Sequence, residues 1–392
     1  MLELANSQLA ATLVALRRDL HEHPELSLKE ERTVATLAAA LRSLGIDEVT
    51  RVAGTGLVAR VPGRDRTAPL VAIRGDIDAL PIQEATGLPF ASANAGVMHA
   101  CGHDVHASWA VGAAALLATE PAQGDVVILL QPAEELGVGA RAMIDAGALE
   151  GVAAIFGGHV DRRFTVGNVV AQGGPLAASA DTFSIELIGR GAHAARPHES
   201  ADPIVGIAAL INALQTIVSR RVNPASPAVV TIGTVHAGTA SNVIPDRATI
   251  TGTLRATDAP TRTLLKTEVA RIATHVAEAM GLSAVVSMGD GVGPVVNTER
   301  EAGWAAAAAR AVLGDGSVVP LGITNMAAED FASYLEHVPG CFLRIGARRE
   351  GERMIPAHSP DFDVAEDAIM VGAAVLAEAA RRASQALSMS KG

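Results

Sequence analysis

Leu9, Leu13, Leu16 and Leu20 recur along one helical face and the pattern stops at Pro24, which predicts an amphipathic helix at the start of the chain. A second helical stretch opens with Ser27-Leu28-Lys29-Glu30, read as a capping box, carries Val34, Leu37, Leu41 and Leu44 on one side, and ends at Gly45. Short apolar runs follow at residues 57–61, 70–74, 126–130 and 153–158, separated by helical or turn-rich segments. Near-continuous apolar runs of this length are the pattern of an α/β sheet covered on both faces.

From about Asp181 the pattern changes. A strand at 183–188 is followed by a helix at 203–221, a strand at 229–236, an alternating strand at 247–255, a helix at 261–280 and a strand at 283–288. The order β-α-β-β-α-β is that of a split βαβ, ferredoxin-like sandwich, with Asp202 as N-cap and Pro203 at the first helical position of its first helix. After about Gly291 helices and strands resume at 302–313, 329–336, 342–345 and 365–387. The expected organisation is a first segment 1–180, an inserted module 181–291 and a last segment 292–392, the two flanks forming one interrupted domain.

Composition narrows the function. A net charge of −11 without clustered Lys and Arg argues against a nucleic-acid surface and for small-molecule chemistry. No apolar run approaches the roughly 18 residues of a membrane span, the longest candidate being 107–118, so no membrane partner is expected. The opening residues 1–6 show no secretory leader, and two cysteines, Cys101 and Cys341, are too few for a disulfide framework; a cytoplasmic location is the expectation. There are no internal repeats, and the only compositional bias is towards alanine.

The chemistry-bearing residues are Cys101, His103, Glu135, His159 and His358, each expected at the end of a strand or in a loop. One thiol and three imidazoles crowd Met98-His99-Ala100-Cys101-Gly102-His103-Asp104-Val105-His106, and two adjacent carboxylates follow an apolar run in Gln131-Pro132-Ala133-Glu134-Glu135. Thiolate, imidazole and carboxylate together suit zinc, manganese or a neighbouring first-row metal, and not magnesium or calcium. Hydrolysis of an unactivated amide needs a nucleophile, a charge sink and a proton donor, which metal ions and a carboxylate can supply. Consecutive side chains in an extended or turn segment point in different directions, so one of Glu134 and Glu135 can bind metal while the other moves the proton. Taken singly, each residue has a plainer role: Cys101 as core, His159 and His358 as hydrogen-bonded histidines, the glutamate pair as a solvated loop. His21 and His23 end a helix and read as caps or supports, and His106 as packed or behind the site. The motifs of dinucleotide, P-loop, serine-hydrolase and zincin enzymes are missing.

Several segments together resemble the M20 metallopeptidases, in particular the amidohydrolase branch with aminoacylase-like, hippurate hydrolase-like and auxin-conjugate hydrolase-like enzymes. They are Arg17 to Glu25, Arg74-Gly75-Asp76-Ile77-Asp78-Ala79-Leu80-Pro81, His99 to Asp104, Gln131 to Glu135, Gly191-Ala192-His193-Ala194-Ala195-Arg196-Pro197-His198, Asn242-Val243-Ile244-Pro245-Asp246 and Glu329-Asp330-Phe331. The resemblance implies an α/β bimetal-hydrolase catalytic domain with an inserted ferredoxin-like α+β lid and dimerisation domain. It implies two divalent ions, zinc or manganese with cobalt or nickel also admissible, bridged by Cys101, with His103 and His159 on one and Glu135 and His358 on the other. Glu134 resembles the general base. Where the wider family has His-x-Asp this chain has Asp76-Ile77-Asp78, so that His103 takes the missing ligand's place and Asp78 supports it. His193 would stabilise the oxyanion, across a homodimer interface, and Asn242 and Arg255 would hold the substrate's carboxylate or carbonyl. The expected reaction is hydrolysis of an N-acyl amino acid or related amide conjugate; a dipeptidase or carbamoylase is the enzymatic alternative, and a metal-binding or ligand-binding protein without turnover the other. Two segments depart from the pattern, Val160-Asp161-Arg162-Arg163-Phe164 and Met326-Ala327-Ala328.

Overall fold

The structure, a computed structural model, describes residues 7–324 and 326–390. The hexapeptide read for a leader lies outside them. Contacts divide the chain into two compact units, the first from residues 1–174, 297–323 and 330–392 and the second from 175–296 and 324–329.

In the first unit, α1 (Ser7–Glu22) buries the expected Leu9, Leu13, Leu16 and Leu20. α2 (Glu31–Ser43) buries Val34, Leu37 and Leu41, but the capping box does not form. Ser27 instead donates to Asp78 Oδ2 at 2.7 Å, and Glu30 turns inward to accept from Thr55 Oγ1 and the Ala133 amide. The free amides of the first turn go to Glu25, whose carboxylate accepts from Arg32 N at 3.1 Å and Thr33 N at 2.8 Å.

The sheet has β1 (Val49–Val52), β2 (Gly56–Val61), β3 (Leu70–Asp76), β4 (Val126–Gln131), β5 (Val152–Thr165), β6 (Val169–Val170) and β7 (Gly340–Arg348), in the spatial order β1-β2-β4-β3-β5-β7-β6. The middle four, β4-β3-β5-β7, are parallel, and the outer strands pair antiparallel. β4 is buried at every position, as its apolar run requires. Asp76 pairs with Gln131, so the chain leaves β3 and β4 side by side at their carboxyl ends, where open α/β sheets bind ligands. β5 runs on through His159 to Thr165 rather than stopping before the histidine, because β7 continues to pair with it as far as Arg348 opposite Thr165. Against the sheet lie α3 (His103–Thr119), α4 (Glu299–Leu313) and α5 (Asp367–Met389). The alanine enrichment has its reason here: α3 is buried almost all round, and Gly112 and Gly372 let α1, α3 and α5 approach so closely that a Cβ would strike Leu13 and Ala373 at the one and Trp109 at the other.

The second unit is a four-stranded antiparallel sheet in the order Ala228–Ala237, Arg247–Ala256, Asp181–Ile188, Ser283–Met288, packed against the helices Pro203–Arg220 and Ala259–Ala279. Its core joins Phe183, Ile185 and Leu187 to Leu210, Leu214, Ile217, Leu265 and Val269. Asp202 caps the first helix through Ile204 N at 2.9 Å. By length and hydropathy (18 residues, 1.4) that helix would suit a membrane span, a candidate passed over by looking only for unbroken apolar runs. Its Gly206, Ile207, Leu210, Leu214 and Ile217 are instead buried within the unit. Segment 324–329 belongs with this unit, since Ala178 N donates to Ala327 O and Arg255 reaches Met326 O.

Candidate metal centre

Three loops, which follow β3, β4 and β7, converge with β5, within which His159 lies. Cys101 and His103 flank Gly102, whose φ of +93° turns the chain into α3 and whose missing side chain leaves room for Val160, 2.6 Å from where a Cβ would stand. Glu134 and Glu135 follow Ala133, a non-glycine residue at φ +51°. Its amide donates to Glu30 and its carbonyl accepts from Gly139 N, which holds the turn in that conformation. His358, at φ +65°, is anchored by its amide to Ala100 O at 2.8 Å.

Ligand-type atoms cluster in five groups of three among the described residues, and two of these triads share Cys101. Cys101, His103 and His159 bring theirs within 4.8 Å of one another, and so do Cys101, Glu135 and His358. Cys101 Sγ is 3.2 Å from His159 Nε2, and Glu135 Oε1 is 3.4 Å from His358 Nε2. Each imidazole of the first triad is tied down through Nδ1. His103 Nδ1 donates to Asp78 O and Oδ1 at 2.9 and 3.1 Å, and His159 Nδ1 donates to Val160 O at 2.6 Å. Nδ1 therefore carries a proton, and the neutral form of each ring presents its Nε2 lone pair, the tautomer a metal ligand needs. Among the described residues His103 Nε2 and Glu135 Oε1 are buried with no hydrogen-bond partner and stand 3.9 Å apart, a costly arrangement unless a cation satisfies both. The residues fit a metal.

The electrostatics agree. Burial, reinforced by the charge of Glu135, pushes the Cys101 thiol well above its ordinary range, so that a thiolate here requires an adjacent cation. Burial and then His106 hold His159 neutral. For His103 burial works downward, but Asp76 and Asp78 outweigh it and raise the imidazole pKa, marking a strongly negative surrounding. Asp78 joins two ligand-bearing segments, holding His103 on Oδ1 and the Glu135 amide on Oδ2 at 3.1 Å.

Around this lie groups that sequence reasoning passed over or left open. His106 donates from Nδ1 to Asp76 at 2.6 Å and accepts at Nε2 from Val160 N at 3.0 Å, so both nitrogens are engaged and it supports the backbone beside His159. Arg74, Gln131 and Asp330 form a fully buried cluster with Asp76; the signal was a charged pair, Arg74 and Asp76, closing an apolar strand. His21 lies between Asp104 at 2.8 Å and Glu84 at 3.3 Å; burial opposes its charge, but Asp104 and Glu84 prevail and raise its pKa to about 9. His23 caps α1 by contact with Asp19 O.

His193, Asn242 and Arg255 lie in the second unit. His193 is exposed, pairs with Val243 in a two-stranded ladder, and accepts at Nδ1 from Ala195 N at 3.0 Å, which leaves Nε2–H as an outward donor. Asn242 is beside it, its carbonyl accepting from Ala194 N at 3.1 Å, whereas Arg255 sits on Arg247–Ala256.

A buried thiol, two oriented imidazoles and paired carboxylates around unsatisfied ligand-type atoms form a candidate metal centre. Residues 72–382 match the model of Peptidase family M20/M25/M40, and the chain belongs to that family. It is 41% identical over 379 residues to the N-acetyl-L-cysteine deacetylase of Bacillus subtilis, covering 96% of this chain and 89% of that one. It is 38% identical to the IAA-amino acid hydrolase ILR1-like 4 of Arabidopsis thaliana, covering 94% and 85%. Among solved structures, Bacillus subtilis YXEP, described as a dinuclear metal binding peptidase from the M20 family, superposes with a TM-score of 0.86 at 36% identity, over 97% of this chain and 99% of that one. The protein is thus an amide hydrolase, and the non-enzymatic alternative falls away.

Proposed function

We propose that the protein hydrolyses the amide bond of N-acyl amino acids, or closely related amide conjugates, to a carboxylate and an amine, with two divalent ions, zinc or manganese, sharing Cys101. The observation that carries this reading is the pair of triads meeting at one thiol, with Glu134 beside them. His103 and His159 would hold one ion, Glu135 and His358 the other. Such a pair supplies an activated water and a Lewis acid for the amide carbonyl. Glu134 lies 3.9 Å from His103 Nε2 at its Oε2 while Oε1 accepts from the Asp330 amide at 3.4 Å, a placement suited to taking the water's proton and returning it to the leaving nitrogen. His193, as an Nε2–H donor, is assigned to the oxyanion, and Asn242 and Arg255 to the substrate's carboxylate.

The second unit is proposed to act as lid and homodimer surface. Its first helix leaves Ile204, Val205 and Val218 exposed, and Ala228–Ala237 is an edge strand with exposed Val235. Charge at Ile204 and Val205 should convert a dimer to a monomer in light scattering. Two buried, unpaired thiols suit a reducing compartment, and we place the protein in the cytoplasm.

The deciding assay is amine release from N-acetyl, N-benzoyl and longer N-acyl amino acids and from dipeptides, with protein reloaded with zinc or manganese. Release from an acyl series supports the reading and names the acyl class; turnover of dipeptides alone would replace it with a peptidase.

A further inference from the structure

Asp76 ends β3 inside the same cluster. Its Oδ2 is 3.8 Å from His103 Nε2, and Asp76, His103 and His106 bring ligand-type atoms within 4.8 Å of one another. A carboxylate so placed is within reach of any ion that His103 holds. Each of its oxygens nevertheless already accepts a hydrogen bond, which fixes the direction of the carboxylate. Oδ1 accepts from His106 Nδ1 at 2.6 Å, and Oδ2 accepts from Arg74 Nη1.

Neither partner can move away. Arg74 is fully buried and clamped along its length, with Nε donating to Gln131 Oε1 at 2.8 Å and Nη2 to Asp330 Oδ1 at 2.9 Å. Asp330 is held in turn by Gln131 Nε2 and by Ala140 N, each at 2.9 Å. His106 is fixed from its far side by the Val160 amide. Burying a guanidinium between two carboxylates strips water from three charges, and for packing alone a branched apolar side chain would serve this strand at least as well. The cluster is better explained by what it does to Asp76.

We propose that Arg74 is a positioning residue that withholds Asp76 from the ion held by Cys101, His103 and His159, keeping a carboxylate oxygen out of a thiolate and imidazole ligand set. This rests on the two-ion reading above. Without Arg74, Oδ2 becomes a further hard ligand; the coordination number rises, and preference moves from zinc, which favours four ligands with sulfur and nitrogen, towards manganese, which favours oxygen.

The test uses cobalt(II) as a spectroscopic probe in the full-length protein. Arg74→Met is combined with Asp330→Asn, so that one positive and one negative charge leave the buried cluster together. The visible d–d absorption of bound cobalt should fall several-fold, as expected for higher coordination, and the affinity for manganese relative to zinc should rise by about 10-fold. Adding Asp76→Asn should restore the wild-type spectrum. An unchanged spectrum in Arg74→Met/Asp330→Asn overturns the proposal. Asp76→Asn alone provides a check that does not depend on the double variant folding: it keeps an oxygen for His106 and should retain two cobalt equivalents and the wild-type spectrum, whereas loss of an equivalent means that Asp76 already is a ligand and the proposal is wrong. A wild-type protein that takes up no cobalt overturns the metal centre itself; normal uptake with an unresponsive Arg74 variant overturns only the role of Arg74.

Discussion

His103 and His193 belong to opposite physical situations. His103 is fully buried, its Nδ1 shared by two oxygens of Asp78 and its Nε2 left bare, whereas His193 is exposed and held by a single backbone amide. The first unit thus orients this candidate ligand through buried hydrogen bonds of its own. The second carries His193, proposed above for the oxyanion, exposed on a short ladder. On the roles proposed above, the metal chemistry is accordingly demanding of sequence and substrate recognition is open to adjustment.

Four measurements can break or sharpen this contrast. The largest effect is expected of Glu134→Gln, which should retain both metals while kcat falls by roughly 10³-fold or more; near-normal turnover would remove Glu134 as the base. His193→Ala should lower kcat by about 10²- to 10³-fold with metal content unchanged, and metal loss in that variant would erase the separation between the two units. Third is pH dependence through His21. Its folded pKa of about 9 lies above the ordinary 6.5, so the stabilisation is complete below 6.5 and disappears as pH rises through 9. The difference in unfolding free energy between wild type and His21→Gln, followed in urea, should shrink by about 3 kcal/mol across that window; a pH-independent difference would mean that His21 is not charged in the fold. The smallest effect is that of Asp78→Ala, which should weaken metal affinity by about 10- to 100-fold through the loosened His103 ring and Glu135 amide. Affinity equal to wild type, by competition with a chelator, would show that these hydrogen bonds do not orient the ligands.

The elements were legible wherever burial imposes a period on the residues. The runs that became β3 and β4, and the β-α-β-β-α-β order of the second unit, could be read because each strand must hide its side chains from water. The ligand-type residues stood out as polar groups following apolar runs. What local pattern could not show is who satisfies whom across the chain. Glu25 rather than Ser27 caps α2, because Asp78, far along the sequence, claims the serine hydroxyl. Arg74 meets Asp330 across 256 positions, a pairing that no window of sequence contains. The end of β5 was misplaced for the same reason: only its partner β7, from the other flank of the inserted unit, carries it through His159.

The position of β7 has a further consequence during synthesis. It occupies an interior place in the sheet, between β5 and β6, yet it is the last of that sheet's strands in chain order, and His358 follows it. The second unit can finish folding while the first still has a gap beside β5, and the nascent chain must keep that exposed edge from pairing with a neighbour until residues 340–348 arrive. On the ligand set proposed above, the second triad waits for His358, and a chain truncated before Gly340 lacks both β7 and that histidine.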